Sequence, residues 1–529
     1  MKGTGMETTE FRPENWRDEY REFAEATSKF YKKELDAKAY KGISGGFGSY
    51  AQKGGEASML RLRLPAGRID KERLKFIADC VERYKINLVH FTTCQTVQLH
   101  NLNEEAVCAI AVEALDHNIL TRGGGGDFPR NVMVSPLSGV ERDEYFDVLP
   151  YALAASDYLM TLIKGPKLPR KLKVAFSNTK ANITHATFRD LGFTARPDGT
   201  FDVYSAGGLG NNPSFGVLVA QGVAPGQILY YIRAMYNTFC AYGNYENRAK
   251  ARSRFMKDSL GGEESYREAF GEKLKEVYAS GENLDLDLPA SEPAWKFRAG
   301  MKQAQGKAPA DSRVIGQKQP GFYAVKYHPL GGVPDTGFFK RMYELIKDMD
   351  QVELRLAPDE TAYIINCTGE EAGQVLKATE HGARNSFEES VACIGASICQ
   401  QGVRDSQALL NHLVEMARRE GFEDGVLPRI HISGCPSSCG THQIGALGFH
   451  GGVKVIEKVP MPAFTLHYNG CDVQEREKLG EKLGVMLELK IPDFLKLLGQ
   501  TVRESGMRFE EWSRNNPDGV KKIAAPFIL

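Results

Sequence analysis

Four cysteines fall into two pairs. Cys393-Ile-Gly-Ala-Ser-Ile-Cys399 leaves five residues between its thiols, and Cys435-Pro-Ser-Ser-Cys439, about forty residues later, leaves three. Four thiols suit one metal centre. Structural zinc prefers ligand pairs separated by roughly two to four residues, so the wider gap suits a small tetrahedral ion poorly. An iron–sulfur cube presents its irons at separate corners and accepts thiolates from two loops at unequal spacing. The competing reading is four buried core cysteines, because free cysteine is commonly a small hydrophobe. Gly434, Pro436 and Gly440 favour the metal: they let the backbone turn tightly and aim N–H groups at sulfur.

The body around these thiols is an ordinary globular protein. At 529 residues it holds about three or four folding units. Lys plus Arg and Asp plus Glu each number 67, so no net field draws the chain to nucleic acid or an anionic membrane, and any basic site is local. Hydrophobic residues at 42%, charged residues at 25% and a mean hydropathy of −0.35 exclude disorder and fibre. The most apolar stretch, 148–163, is interrupted by Pro150, Ser156 and Asp157, so it is expected to be a helix of the body and not a membrane span. The N-terminus has no secretory pattern, which makes a cytoplasmic location the expectation. Ten cysteines are too few for a disulfide scaffold. Outside the two pairs, Cys80, Cys94, Cys108, Cys240, Cys367 and Cys471 stand alone, as buried thiols usually do.

Sliding the chain against itself by 265 residues aligns Gly67 with Gly332, Thr96 with Thr361, Asn101 with Asn366 and Glu105 with Glu370. The hydrophobic periodicities agree. A strand at 59–64 leads to a helix capped by Asp70 with Leu74, Ile77, Ala78 and Val81 on one face, then strands at 86–91 and 96–102 and a helix opening near Asn103. The second copy predicts a strand at 322–327, a helix capped by Asp335 carrying Phe338, Met342, Leu345 and Met349, and strands at 352–356 and 362–367. Each copy reads as half of a ferredoxin-like unit. The fold class expected is α+β, divided into an N-terminal helical arm at 1–45, half domains at 46–125 and 311–384, and two larger α/β lobes at 126–310 and 385–529. The arm is amphipathic through Trp16, Tyr20, Phe23, Ala24 and Phe30, the stretch 284–311 reads as a connecting loop, and a helix follows the first thiol pair over 403–418.

C-x5-C followed by G-C-P-x-x-C-G resembles the signature of the siroheme- and [4Fe-4S]-dependent nitrite and sulfite reductases, closest to the hemoprotein type of sulfite reductase, and the likeness spans nearly the whole chain. The resemblance implies two half ferredoxin-like repeats and two lobes around one siroheme and one [4Fe-4S] cluster. It gives Cys393, Cys399, Cys435 and Cys439 to the cluster, with Cys439 also binding the siroheme iron. By the family's local words it implies four cations over the substrate: Arg61 in L-R-L-R-L-P, Arg130 in R-N-V, and Lys171 and Lys173 in L-P-R-K-L-K. Alternation along an extended chain turns Lys171 and Lys173 to one side with Leu172 opposite, and relates Arg61 to Arg63 likewise; a solvated strand edge would read the same.

The resemblance also assigns Thr92, Gln98, Lys250, Arg252 and Arg254 to the tetrapyrrole, with Gln95 and Thr96 retained around them. Where the family usually carries arginines that pair with siroheme carboxylates, this chain has His90 and Cys94, so other cations must serve. The glycines at 123–126 and the A-G-G-L-G-N-N-P stretch at 206–213 lack nucleotide-loop spacing. His185 matches a family loop and reads equally as a structural hydrogen-bonding residue.

Such cations suit an oxyanion whose oxygens must be protonated and leave as water: arginine gives paired donors, and crowded lysines with depressed pKa pass protons. Nitrite reductases of this type usually have asparagine at the place of Lys173, and an extra positive charge favours sulfite. The expectation is six-electron reduction of sulfite to sulfide, with nitrite to ammonia as the alternative, and a precorrin-modifying enzyme or a non-catalytic electron carrier as further alternatives. No flavin or nicotinamide fingerprint is present, so electrons come from a separate donor, ferredoxin or a flavoprotein reductase. Neither nucleic acid nor membrane is an expected partner.

Overall fold

A computed structural model describes residues 16–288 and 302–529. Residues 1–15 of the arm and 289–301 of the connecting loop lie outside the described residues. The helix Arg17–Tyr31 buries Tyr20 and Phe23 at 1% and 0% exposure, and so the arm is part of the body's core.

The first half domain contains β1 (Ser49–Ala51), β2 (Ser58–Leu62), β3 (Arg68–Ile69), β4 (Val89–Phe91) and β5 (Val97–Leu102). Four of these form an antiparallel sheet in the order β1-β2-β5-β4. The helix Lys71–Arg83 opens where Asp70 accepts the Arg73 N–H, and Glu104–Glu113 opens where Asn103 accepts from Ala106. The first lobe contains β6 (Met133–Val134), β7 (Val174–Ser177), β8 (Leu191–Ala195), β9 (Phe201–Ser205) and β10 (Val217–Val223). Here β6, β7 and β8 run parallel, and β9 and β10 return antiparallel. Between its first two strands the stretch 148–163 forms the helix Leu149–Thr161, as its sequence implies.

The second half domain repeats the first with β11 (Val314–Gly316), β12 (Tyr323–Tyr327), β13 (Glu353–Leu356) and β14 (Ala362–Cys367). The six residues of β14 follow the six of β5 at an offset of 265, and the helix Gly369–Ala378 follows Glu104–Glu113 at the same offset. Left-handed backbone recurs at that spacing too: Gln95 and Glu360, Asn101 and Asn366, Gly67 and Gly332. Asp335 departs from expectation. The helix Phe338–Ile346 is preceded by Gly337, whose N–H donates to Asp335, and the Asp335 carboxylate turns to Arg341; Met349 lies past the helix end. The two halves close on each other, because β3 pairs with β13 to complete a sheet β11-β12-β14-β13-β3 over one shared core.

The second lobe contains β15 (Val391–Ala392), β16 (Ile430–Ser433), β17 (Leu447–Ile456), β18 (Val459–Tyr468) and β19 (Glu481–Leu487). Its three parallel and two antiparallel strands repeat the first lobe's topology. The helix Ser406–Glu420 stands where 403–418 was expected and is capped by Asp405. Each lobe has its own apolar core. Among the described residues no helix is long and apolar enough to cross a membrane.

Candidate functional site

The two half domains and two lobes surround a cavity of about 1120 Å³. All four paired cysteines line it, and so do Arg61, Arg130, Lys171 and Lys173. Residues separated by more than 370 positions in the chain therefore meet around one space.

The cations arrive from three directions. Arg61 stands on β2 opposite Gln98 on β5, where the Gln98 carbonyl accepts from Arg61 Nε at 3.2 Å. Arg61 also donates to the Gly124 carbonyl, which Arg130 Nη1 shares at 2.9 Å, while Arg130 Nη2 donates to Gly126 at 2.8 Å. The glycine run 123–126 is thus a backbone cradle for two guanidiniums. Arg63 does not parallel Arg61: it is 1% exposed and binds the carbonyls of Arg122 and Arg130, each at 3.0 Å. Burial, aided by Arg130, lowers its pKa to about 9.

Lys171 and Lys173 lie just before β7, flanking the fully buried Leu172, so the predicted alternation puts both amines on the cavity side. Burial holds Lys171 well below the ordinary lysine range, and Lys173, Arg252 and Arg130 add to this. Burial also lowers Lys173, beside Arg189 and Arg252. Asp190, fully buried, organises this wall by accepting the Lys173 N–H at 2.9 Å and Arg252 Nη2 at 3.1 Å.

The thiols lie on the facing wall. Gly434 N–H donates to Cys393 Sγ at 3.2 Å and Ser406 Oγ stands 3.2 Å from the same sulfur, so the glycine beside the second pair does aim an amide at sulfur. Burial and the neighbouring Cys439 push free Cys393 up to about 12, and burial with Cys435 and Cys399 raises Cys439. Bound cationic metal is what would hold Cys393 and Cys439 as thiolates. Thr93 Oγ1 donates to the Cys439 carbonyl at 2.9 Å, tying the cluster loop to the first half domain.

Other expected residues divide. Thr92, Gln98 and Arg252 line the cavity. Lys250 is exposed and does not line it. Arg254 stands behind the lining, bonding the carbonyls of Asn211 and Asn212 and so shaping the 206–213 loop, which Gln443 ties to the cluster lobe through Gly210. Among the described residues, buried His90 and the guanidinium Nε atoms of Arg130 and Arg252 have no hydrogen-bond partner, and His90 Nε2 stands 3.5 Å from Glu360 Oε1. Unpaired donors beside the cavity fit a polyanionic occupant such as the siroheme carboxylates.

Arg189 escaped the sequence reading. It lines the cavity, is 7% exposed, and donates to the Thr184 carbonyl and to His185 Nδ1 at 3.0 Å, while His185 Nε2 donates to Asp472 at 3.1 Å. Burial alone would raise the Cys94 thiol, but Lys173, Arg189 and Arg61 outweigh it and bring it to about 6. Arg189 thus brings a guanidinium to the neighbourhood of Cys94, where the family resemblance leads one to expect an arginine.

Residues 50–116 match the nitrite/sulfite reductase ferredoxin-like half domain, and residues 125–278 match the nitrite and sulphite reductase 4Fe-4S domain. A sulfite reductase [ferredoxin] of Mycobacterium tuberculosis is 25% identical over 86% of this chain and 81% of its own length. A ferredoxin–nitrite reductase of Synechococcus elongatus is 27% identical over 83% and 85%. The structure of the Mycobacterium tuberculosis NirA protein has the same fold, with a TM-score of 0.77 at 23% identity over 95% of this chain and 94% of that one. The chain thus carries two domains of the nitrite and sulfite reductases and resembles these oxidoreductases over most of its length, and siroheme and a [4Fe-4S] cluster are the cofactors that go with them.

Proposed function

We propose that this protein reduces sulfite to sulfide, with electrons from an external ferredoxin. The observation that carries the reading is the meeting of four cations and four thiols in one cavity, with lysine at 173. When bound, siroheme and cluster supply an open iron site and a path for six electrons. Arg61 and Arg130, fixed by the Gly124 carbonyl, receive the oxyanion as rigid donors. Lys171, destabilised as a cation by burial and by Lys173, and Lys173, destabilised by burial and by Arg189 and Arg252, release protons toward departing oxygens. Asp190 keeps Arg252 and the Lys173 backbone in register. Lys250 is left out of this machinery.

Nitrite is the second reading, supported by the relatives named as nitrite reductases. Ferredoxin as donor rests on the names of the relatives of both kinds, and a reducing, cytoplasmic setting on a cysteine content too low for a disulfide scaffold. The deciding experiment is an absorption spectrum of anaerobically purified protein, followed by steady-state kinetics with sulfite and nitrite and a strong artificial donor. A siroheme spectrum with higher kcat/KM for sulfite is expected. A higher value for nitrite reverses the substrate assignment, and colourless protein after reconstitution removes the reading.

A further inference from the structure

The second lobe contains a cluster of side chains that none of the chemistry above uses. His450 on β17 and His467 on β18 are diagonal neighbours on one sheet face, because Gly448 is the register partner of His467 and Thr465 that of His450. Their Nδ1 and Nε2 atoms are 2.9 Å apart. His442 closes over them from the preceding loop, with ring centroids 4.8 Å from His450 and 4.9 Å from His467. Gly448 permits this approach: a Cβ there would lie 1.8 Å from the His442 carbonyl oxygen. One nitrogen from each ring lies within 4.8 Å of the other two.

The sheet does not require these imidazoles. In the first lobe Gly192 meets the Ala186 carbonyl as Gly448 meets that of His442, and the positions matching the three histidines hold Ala186, Thr194 and Tyr204. Burial keeps all three rings below the ordinary histidine range, His450 at about 4, so each is neutral at pH 7 and offers a lone pair. His442 Nδ1 is within 3.0 Å of Ser433 Oγ, leaving Nε2 for a ligand role, and Ser433 Oγ also accepts the N–H of Gly440 in the cluster loop. Such a partner on the second ring nitrogen is what orients metal-bound histidine.

We propose that His442, His450 and His467 form a second metal site, binding one borderline-soft divalent ion, with Zn2+ as the reference, in a three-imidazole set with one open position. Zn–N bonds of about 2.0–2.1 Å put tetrahedral ligand nitrogens roughly 3.3 Å apart, so the His450–His467 pair is already near that spacing and His442 closes the remainder by a small ring movement. Lys482 is within electrostatic reach of His450 and His467 and favours an anion such as hydroxide at the open position. The proposal is independent of which oxyanion the main cavity reduces.

The test uses the cluster-loaded holoprotein, dialysed against chelator and then equilibrated with Zn2+. Elemental analysis should find one zinc per chain beyond the iron, with X-ray absorption showing three nitrogen neighbours at about 2.0–2.1 Å. H450Q and H467Q should weaken zinc binding at least tenfold while iron content and visible spectrum stay unchanged. No stoichiometric zinc in the wild type would overturn the proposal and leave a hydrogen-bonded imidazole cluster, and zinc bound equally by both variants would assign it elsewhere. Sulfur scattering at about 2.3 Å would likewise refute it. If the variants fail to fold, the wild-type absorption spectrum at the zinc edge decides alone.

Discussion

The two lobes are built to one plan and carry opposite chemistry. Both lay three parallel strands beside two antiparallel ones, and both follow the second strand with a loop in left-handed backbone at matching points, Asn182 and His185 in one, Ser438 and Thr441 in the other. In that loop the second lobe has Cys435 and Cys439, where the first has Thr179 and Ile183. Just before the second strand the first lobe turns Lys171 and Lys173 to the cavity. Their counterparts are Leu427, which is buried, and Arg429, which is held by Asp359 at 2.9 Å and Glu389 at 2.7 Å. The duplicated fold determines where groups are presented. The side chains, and whether a cation is already paired, determine what is presented.

The largest expected break in this symmetry is Cys435→Ala, which should abolish the cluster and reduce turnover to background, while Thr179→Ala leaves iron content intact; iron analysis of both variants checks it. Lys171→Met should lower kcat/KM by about 10²–10³, the cost typical of removing one preorganised charge-stabilising donor. Leu427→Met, at the matching position of the other lobe, should leave kinetics unchanged. Gly192→Ala and Gly448→Ala both drive a Cβ into a carbonyl 1.8 Å away, so each should cost about 1–3 kcal/mol. Denaturant midpoints would measure this, and a harmless substitution in one lobe would end the equivalence. Smallest is Lys173→Asn, expected to lower the sulfite-to-nitrite ratio of kcat/KM about tenfold, or roughly 1.4 kcal/mol of differential binding. An unchanged ratio would remove Lys173 from specificity.

The half domains were legible because their information is local and repeated: Asp70 and Asn103 cap helices as their types imply, and Gly67 and Gly332 mark the same turn. Asp335 misled because a capping residue two positions early still binds the turn's N–H. The thiols and four cations that line the cavity each stand in a local word that singles them out in the sequence. Arg189 was not, since its place in the cavity depends on His185 and on Asp472, 287 residues beyond His185. Lys250 and Arg254 read alike with Arg252 in sequence, yet only Arg252 meets the buried Asp190 that turns it inward. Nor could spacing alone bring the three histidines of β17, β18 and the preceding loop together, because that needs the strand register.

The pairing of β3 with β13 has a consequence for biosynthesis. Arg68 and its partner Glu353 are 285 residues apart. At about 5–20 residues per second, the ribosome delivers the second roughly 15 to 60 s after the first. Throughout that interval the nascent first half exposes an unpaired strand and half an interior. That edge and interior are what a chaperone would have to shield until the second half emerges.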